Sequence, residues 1–339
     1  MTGYLRRWIG AAMVTLPSLS ADVERDLTVR MKAVEEFLFD HAAGGFPFAT
    51  ETSRHLISAG GKRFRPILTL LASNYGDPTR IEIIKAAVVV ELTHLATLYH
   101  DDVMDEAPLR RGVESANKRW GNSVAILTGD YLFAKSSLLL AELGPDAVRH
   151  QAMTFERLVV GQIMETEGPQ DSEDSLTHYL KVVAEKTGSL FGLCARYGGY
   201  LSGAKPEIVE TLVAFSEELG IAFQLADDVI DIESSSNQSG KTPGTDLREG
   251  VPTLVTLLAQ QMNRPEDAQL LSLLAGAITN ESEVAYALEQ LRIHPALDEA
   301  KKITMQYAES ARKMLGTLPL NGTTEGLLSL CDVLVSRSA

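Results

Sequence analysis

Apolar residues recur at three- and four-residue spacing along most of this chain. The clearest runs are Ile81 to Tyr99, Val124 to Leu143, Val148 to Glu167, Leu176 to Ala195, Ile208 to Ile232 and Thr253 to Leu274. That period gathers apolar side chains on one side of an α-helix, whereas the two-residue alternation of half-buried strands is hard to find. Breaks fall where glycine and proline gather, at Gly44-Gly45-Phe46-Pro47, Gly76-Asp77-Pro78, Gly144-Pro145, Gly168-Pro169 and from Gly203 to Pro206. Several runs are apolar on most faces, as central members of a bundle are. The pattern predicts one all-α domain of ten or more helices over residues 21–339, preceded by a poorly defined leader or first helix over 1–20. Ser234 to Gly250, rich in Ser, Gly, Asn and Thr, is the longest polar connection and the candidate mobile lid.

Two of the apolar runs end in the same polar pattern, Asp101-Asp102-Val103-Met104-Asp105 and Asp227-Asp228-Val229-Ile230-Asp231. On a helix, Asp101 lies one turn from Asp105 and Asp227 one turn from Asp231. Like charges so placed repel unless a cation sits between them, and carboxylate pairs suit a hard cation such as Mg²⁺ that is also held by substrate phosphates. His94, Thr97, Asp101 and Asp105 form one polar stripe on an otherwise apolar helix. Such a stripe lines a wet cavity or a solvated face, and the absence of Lys and Glu between Thr93 and Val103 favours the cavity. Gln224, Asp227, Asp228 and Asp231 repeat the arrangement within two turns.

Local cations supply the counterpart. Gly60-Gly61-Lys62-Arg63-Phe64-Arg65-Pro66 sets three cations beside two glycines, and Arg110-Arg111-Gly112 follows the first aspartate cluster in a short loop after Pro108. Arginine gives bidentate contacts to phosphate oxygens, so carboxylates followed by a forked cation pair suit a diphosphate held both through metal and directly. Lys186-Thr187-Gly188 interrupts another apolar run, where an inward lysine needs an anion and an outward one does not. Lys241 lies in the candidate lid.

Composition narrows the picture. A net charge of −14 over 339 residues leaves no basic face for nucleic acid. Two cysteines, Cys194 and Cys331, give neither a disulfide framework nor metal-ligand spacing, so a reducing cytoplasm is expected. Arg6-Arg7 and the apolar run Trp8 to Leu16 loosely imitate an export signal, but the run is short and broken by Gly10. No other segment reads as a membrane span, although a greasy product would allow peripheral membrane contact. No Ser-His-Asp, Cys-His or phosphate-loop pattern is legible.

Taken in order, GGKRFRP, ELTHLATLYHDDVMDEAPLRRG, the Gly129-Asp130 pair, KTG, FQLADDVIDI and GKTPGTDLREG resemble the trans-isoprenyl diphosphate synthase family from about Val34 onward. The resemblance implies mostly antiparallel helices around a central cavity, usually in a homodimer. It also implies head-to-tail condensation of isopentenyl diphosphate with an allylic diphosphate, with three Mg²⁺ ions bound together with the allylic substrate. Asp101, Asp105 and Asp227 would hold metal, with Asp102, Asp228 and Asp231 as supporting carboxylates. Arg110, Lys186, Thr187, Gln224 and Lys241 match the allylic site. Lys62, Arg65, His94 and Arg111 match the isopentenyl diphosphate site. Catalysis would rest on Asp101, Asp105, Asp227, Lys186 and Arg110.

Short-product relatives place aromatic residues just before the first aspartate cluster, where this chain has Ala96 and Thr97. Both are small, which implies a long all-trans product of the kind used for a quinone side chain. Geranylgeranyl or farnesyl diphosphate is the shorter alternative, and a non-catalytic subunit of a two-chain synthase is the non-enzymatic one. A terpene cyclase is the further rival, and it has no need of the isopentenyl diphosphate set. One departure stands out: many relatives carry a lysine where this chain has Val251, so one cation beside the allylic diphosphate is missing.

Overall fold

Helix after helix starts or stops at the glycines and prolines that punctuate the sequence. The computed structural model describes residues 19–170, 172–233 and 243–338, and among them sixteen α-helices and one two-stranded ribbon are found. In chain order these are α1 (Ala21–His41), α2 (Pro47–Ser58), α3 (Phe64–Ser73), α4 (Ile81–Met104), β1 (Leu109–Arg110), β2 (Val113–Glu114), α5 (Ala116–Trp120), α6 (Asn122–Leu143), α7 (Pro145–Glu167) and α8 (Ser175–Val183). There follow α9 (Ser189–Ser202), α10 (Pro206–Glu233), α11 (Thr245–Glu249), α12 (Leu254–Met262), α13 (Ala268–Leu273), α14 (Glu281–Ile293), α15 (Pro295–Met314) and α16 (Gly322–Ser338). Gly144, at φ 98°, separates α6 from α7, which Pro145 opens with its fixed φ and absent N–H. Residues 1–18 of the expected leader, and Lys241, lie outside the described residues.

Three places depart from the simple helical reading. The run Leu176 to Ala195 is interrupted by a five-residue π-turn, Ala184–Gly188. The run from Thr253 to Leu274 breaks where Asn263 adopts φ 42° and Pro265 follows, so it forms α12 and α13 rather than one helix. The Arg110-Arg111-Gly112 loop is a tight hairpin in which Leu109 pairs with Glu114 and Arg110 with Val113. Its central residues Arg111 and Gly112 stand at φ 53° and 75°, the left-handed pair that a twisted two-residue hairpin demands.

The chain divides into two compact units, each drawn from three separate stretches. The first comprises Met1–Thr154, Phe191–Ala214 and Leu315–Ser329, and the second Phe155–Leu190, Phe215–Met314 and Leu330–Ala339. In the first unit, α3 is buried at every position except Arg65, and α9 lies close against it: a Cβ on Gly198 would stand 2.2 Å from the Thr69 carbonyl. The most extensive helix pairing runs between α4 and α6. There Thr93 Oγ1 lies 3.2 Å from Ser136 Oγ, and a Cβ on Gly129 would stand 3.1 Å from the Ala96 carbonyl. Val88, Leu92 and Leu95 of α4 are fully buried as well, each contributing roughly 1.5–3 kcal/mol. In the second unit, Leu225 and Val229 of α10 join Leu254 and Leu258 of α12 and Leu288 and Leu291 of α14 in one core.

By length and composition α6 is apolar enough to cross a membrane, with mean hydropathy 1.4 over its best window. The sequence reading did not expect this. Part of that apolar content serves the pairing with α4, through Ala125, Leu132 and Leu139, while Leu127 and Leu138 on its outer side are each 66% exposed.

Candidate active site

In the first unit, α4 delivers its aspartates at the point where it stops. Asp105 is the residue that closes the helix, and its N–H donates to the Asp101 carbonyl at 2.8 Å, so the two carboxylates remain one turn apart. Glu106 then turns left-handed at φ 50°, and Pro108 prevents the helix from resuming. Asp101 is half-buried and Asp105 exposed, whereas Asp102 is fully buried and accepts Arg110 Nε at 2.5 Å. Burial raises the Asp102 carboxyl above its ordinary range despite Arg110, while Arg110 in turn feels Asp102, Asp101 and Asp105. The doublet therefore splits: one carboxylate pair faces outward at the helix end, and Asp102 holds an arginine in place.

The cations divide in the same way. Arg63, at φ 52° before α3, turns wholly inward, with Nε 2.8 Å from Glu35 Oε1 on α1 and Nη1 2.7 Å from Glu91 Oε1 on α4. Arg111 donates to the carbonyls of Leu56 and Gly60 and lies 3.7 Å from the same Glu91 oxygen. Burial penalises the Glu91 charge, but Arg63, Arg111 and Arg65 outweigh it and hold Glu91 below its usual range. Lys62 is exposed beside Arg63, and the Arg65 guanidinium sits 5.1 Å above the Phe191 ring.

His94 stands among these arginines. Burial, then Arg65, Arg111, Arg63 and Arg110, push it well below its ordinary value of 6.5, so the imidazole is neutral. Burial and the neighbouring arginines likewise pull Arg111 down to about 10, still charged at neutral pH. Beyond burial, the arginines around His94 and Arg111 each disfavour further positive charge there, whereas Arg63 and Arg110 are held up by their carboxylate partners; a compact anion would relieve the repulsion at His94 and Arg111. Ala96 is fully buried where α4 meets α6, and Thr97 is half-buried with Oγ1 donating to the His94 carbonyl at 2.8 Å.

The second unit carries the other half of the expected set. Lys186 and Thr187 lie in the π-turn, a geometry that recurs at functional positions. Lys186 pairs with Glu165 of α7, and Thr187 Oγ1 lies 3.4 Å from Gln224 Oε1 of α10. Gln224 Nε2 donates to Asp228 at 3.1 Å. Asp228 is buried and also accepts the Tyr179 hydroxyl and, at 3.1 Å, the Leu254 N–H, and burial raises its pKa against these donors. Asp231 accepts the N–H groups of Thr245 and Asp246 at 3.3 and 3.4 Å, anchoring the start of α11, while Asp227 is half-buried on the same side of α10. The described end of the candidate lid is thus a short helix tied down by Asp231, by Arg248 to Glu281 and by Leu247 in the core. Val251 donates its N–H to the Asp246 carbonyl at 3.0 Å.

Among the described residues, no three His, Cys, Asp or Glu side chains converge as a protein-only metal cage. Paired carboxylates one turn apart, Asp101 with Asp105 in the first unit and Asp227 with Asp231 in the second, are each of the type that suits a hard cation completing its shell with water and phosphate oxygens. Glu35, Glu91 and Tyr179 escaped the sequence reading. Glu91 carried a signal, being a lone charge within an apolar stretch of α4, and the other two carried none.

A family model described as polyprenyl synthetase matches residues 47–291. Nonaprenyl diphosphate synthase of Mycobacterium tuberculosis is 52% identical over 284 residues, covering 84% of this chain and 85% of that protein. A solved polyprenyl synthase from Caulobacter crescentus, complexed with calcium and isoprenyl diphosphate, matches with TM-score 0.88 at 33% identity over 95% of this chain and 99% of that one. Geranylgeranyl pyrophosphate synthase from Corynebacterium glutamicum, also complexed with calcium and isoprenyl diphosphate, matches with TM-score 0.83 at 43% identity over 94% and 98%. The fold is the all-α fold of these isoprenyl diphosphate synthases. The chain belongs to the polyprenyl synthetase family, the trans-isoprenyl diphosphate synthases.

Proposed function

We propose that this chain is a head-to-tail prenyltransferase that extends an allylic diphosphate with isopentenyl diphosphate into a long all-trans polyprenyl diphosphate. The observation that carries the proposal is the crowding of Arg65, Arg110 and Arg111 around a neutral His94 beside the Asp101/Asp105 turn. Lys62, Arg65, His94 and Arg111 bind isopentenyl diphosphate, and His94, being neutral, contributes one N–H to a phosphate oxygen without adding charge. Arg110, steadied by Asp102, joins Lys186, Thr187, Gln224 and Lys241 on the allylic diphosphate. When bound, Mg²⁺ on Asp101, Asp105 and Asp227 supplies charge neutralisation to the departing diphosphate. The allylic C–O bond breaks with its electron pair leaving on the diphosphate, and preorganised cations stabilise that charge. The double bond of isopentenyl diphosphate attacks the allylic cation, and the proton then lost passes to the released diphosphate. Apolar walls keep water from the cation.

The 52% identity to a nonaprenyl diphosphate synthase and the small residues Ala96 and Thr97 support a long product. The apolar side chains exposed on the outer side of α6, Leu127 and Leu138, support a homodimer. Incubating the purified chain with Mg²⁺, isopentenyl diphosphate and farnesyl diphosphate, then sizing the products, tests the proposal. Extended linear polyprenyl diphosphates are expected, and Ala96→Phe is expected to shorten them. Cyclised hydrocarbon, or no elongation by the chain alone, would overturn it.

A further inference from the structure

One face of α7 carries Arg157, Gly161 and Glu165 at four-residue spacing, and all three meet the π-turn Ala184–Gly188. Arg157 Nε and Nη2 donate to the two carboxylate oxygens of Glu185 at 2.8 and 3.1 Å, and Nη1 donates to Glu217 Oε1 of α10 at 2.6 Å. Gly161 permits the approach, because a Cβ there would stand 2.6 Å from the Lys186 backbone nitrogen. Glu165 engages the Lys186 ammonium itself. On the other side, a Cβ on Gly188 would stand 3.2 Å from the Glu217 carbonyl oxygen. The turn is thus seated between α7 and α10, and Arg157 bonds to both the turn and α10.

A π-turn holds one residue more than the helix around it and survives only where its surroundings outweigh the poorer geometry. Glu185 and Glu217 share Arg157 as counter-charge, through a fork that a lysine ammonium reproduces only in part. With that charge removed, two carboxylates face each other across the turn, and relaxation to α geometry shifts the register by one position, rotating Lys186 and Thr187 by about 100° relative to one flank.

We propose that Arg157 is a positioning residue: by clamping Glu185 to Glu217 it fixes the turn that aims Lys186 and Thr187 at the allylic diphosphate. The proposal rests on the allylic-site reading of Lys186 and Thr187 given above, and Arg157 acts through the turn rather than by touching substrate.

Arg157→Gln and Arg157→Lys test it in the full chain, with amide hydrogen exchange over the peptide containing Ala184–Gly188 and KM measured separately for each substrate. Arg157→Gln is expected to speed exchange in that peptide by about tenfold. It is expected to raise the KM for the allylic diphosphate by about tenfold while the KM for isopentenyl diphosphate stays within about twofold. Arg157→Lys is expected to recover part of both effects. Unchanged exchange in the turn, or a variant in which both KM values shift together or neither shifts, would overturn the proposal. If the unmodified chain shows no elongation, the prenyltransferase reading fails instead. Exchange in the turn, together with calorimetric binding of Mg²⁺-pyrophosphate to the chain with and without Arg157, still decides on Arg157: slower exchange or equal binding in Arg157→Gln rejects it.

Discussion

At the scale of single residues, each aspartate doublet is two groups with different tasks. Neighbours on a helix are rotated by about 100°, so Asp101 and Asp102 cannot face one way, nor can Asp227 and Asp228. The doublets and their cations were legible in the sequence. Asp102 and Asp228 were set apart there as supporting carboxylates, but what each supports was not legible, because their partners Arg110 and Tyr179 arrive from other parts of the chain. His94 offers a test through pH. Its folded value lies below 6.5, so as pH falls through 6.5 the unfolded chain takes up a proton that the folded chain refuses, and stability drops. That loss is bounded at about 1.4 kcal/mol per pH unit. Urea midpoints at pH 7.5 and 5.5 are expected to fall less for His94→Gln than for the unmodified chain. Equal declines would remove His94 from the account.

At the scale of elements, helix existence was legible because apolar period and Gly/Pro punctuation agreed, as at Gly144-Pro145. The π-turn and the hairpin were not. The first is fitted closely against Gly161 of α7 and, through its own Gly188, against α10, and the second rests on an arginine held at φ 53°, which no residue preference announces. What joins the elements of the first half-site is a buried charge network: Glu35 from α1, Arg63 before α3, Glu91 from α4 and Arg111 from the hairpin. Glu91→Leu leaves Arg63 short of a partner at a buried position and is expected to cost about 3–5 kcal/mol in chemical denaturation. It is also expected to raise the KM for isopentenyl diphosphate, since Arg111 loses its counter-charge. A variant as stable as the original would show that Glu35 alone suffices.

At the scale of the whole molecule, each compact unit is drawn from three separate stretches of chain, a division that no single change in composition along the sequence announces. The candidate residues of the second unit are spread over α7, α8, α10 and α11 for the same reason, and only its aspartates and the KTG triplet stood out in one dimension. The outer side of α6 gives a prediction at this scale. Leu127→Glu combined with Leu138→Glu is expected to convert a dimer to a monomer in light scattering after size exclusion, with each unit still folded by circular dichroism. A monomeric unmodified chain would reject the homodimer. The inner side of the same helix has no spare room, because a Cβ on Gly129 would stand 2.3 Å from the His100 ring and 3.1 Å from the Ala96 carbonyl. One helix therefore faces the proposed length-setting residue on one side and the proposed subunit contact on the other. A substitution that displaces this helix bears on both proposals at once, and tail length and self-association are to be read out together in any α6 variant.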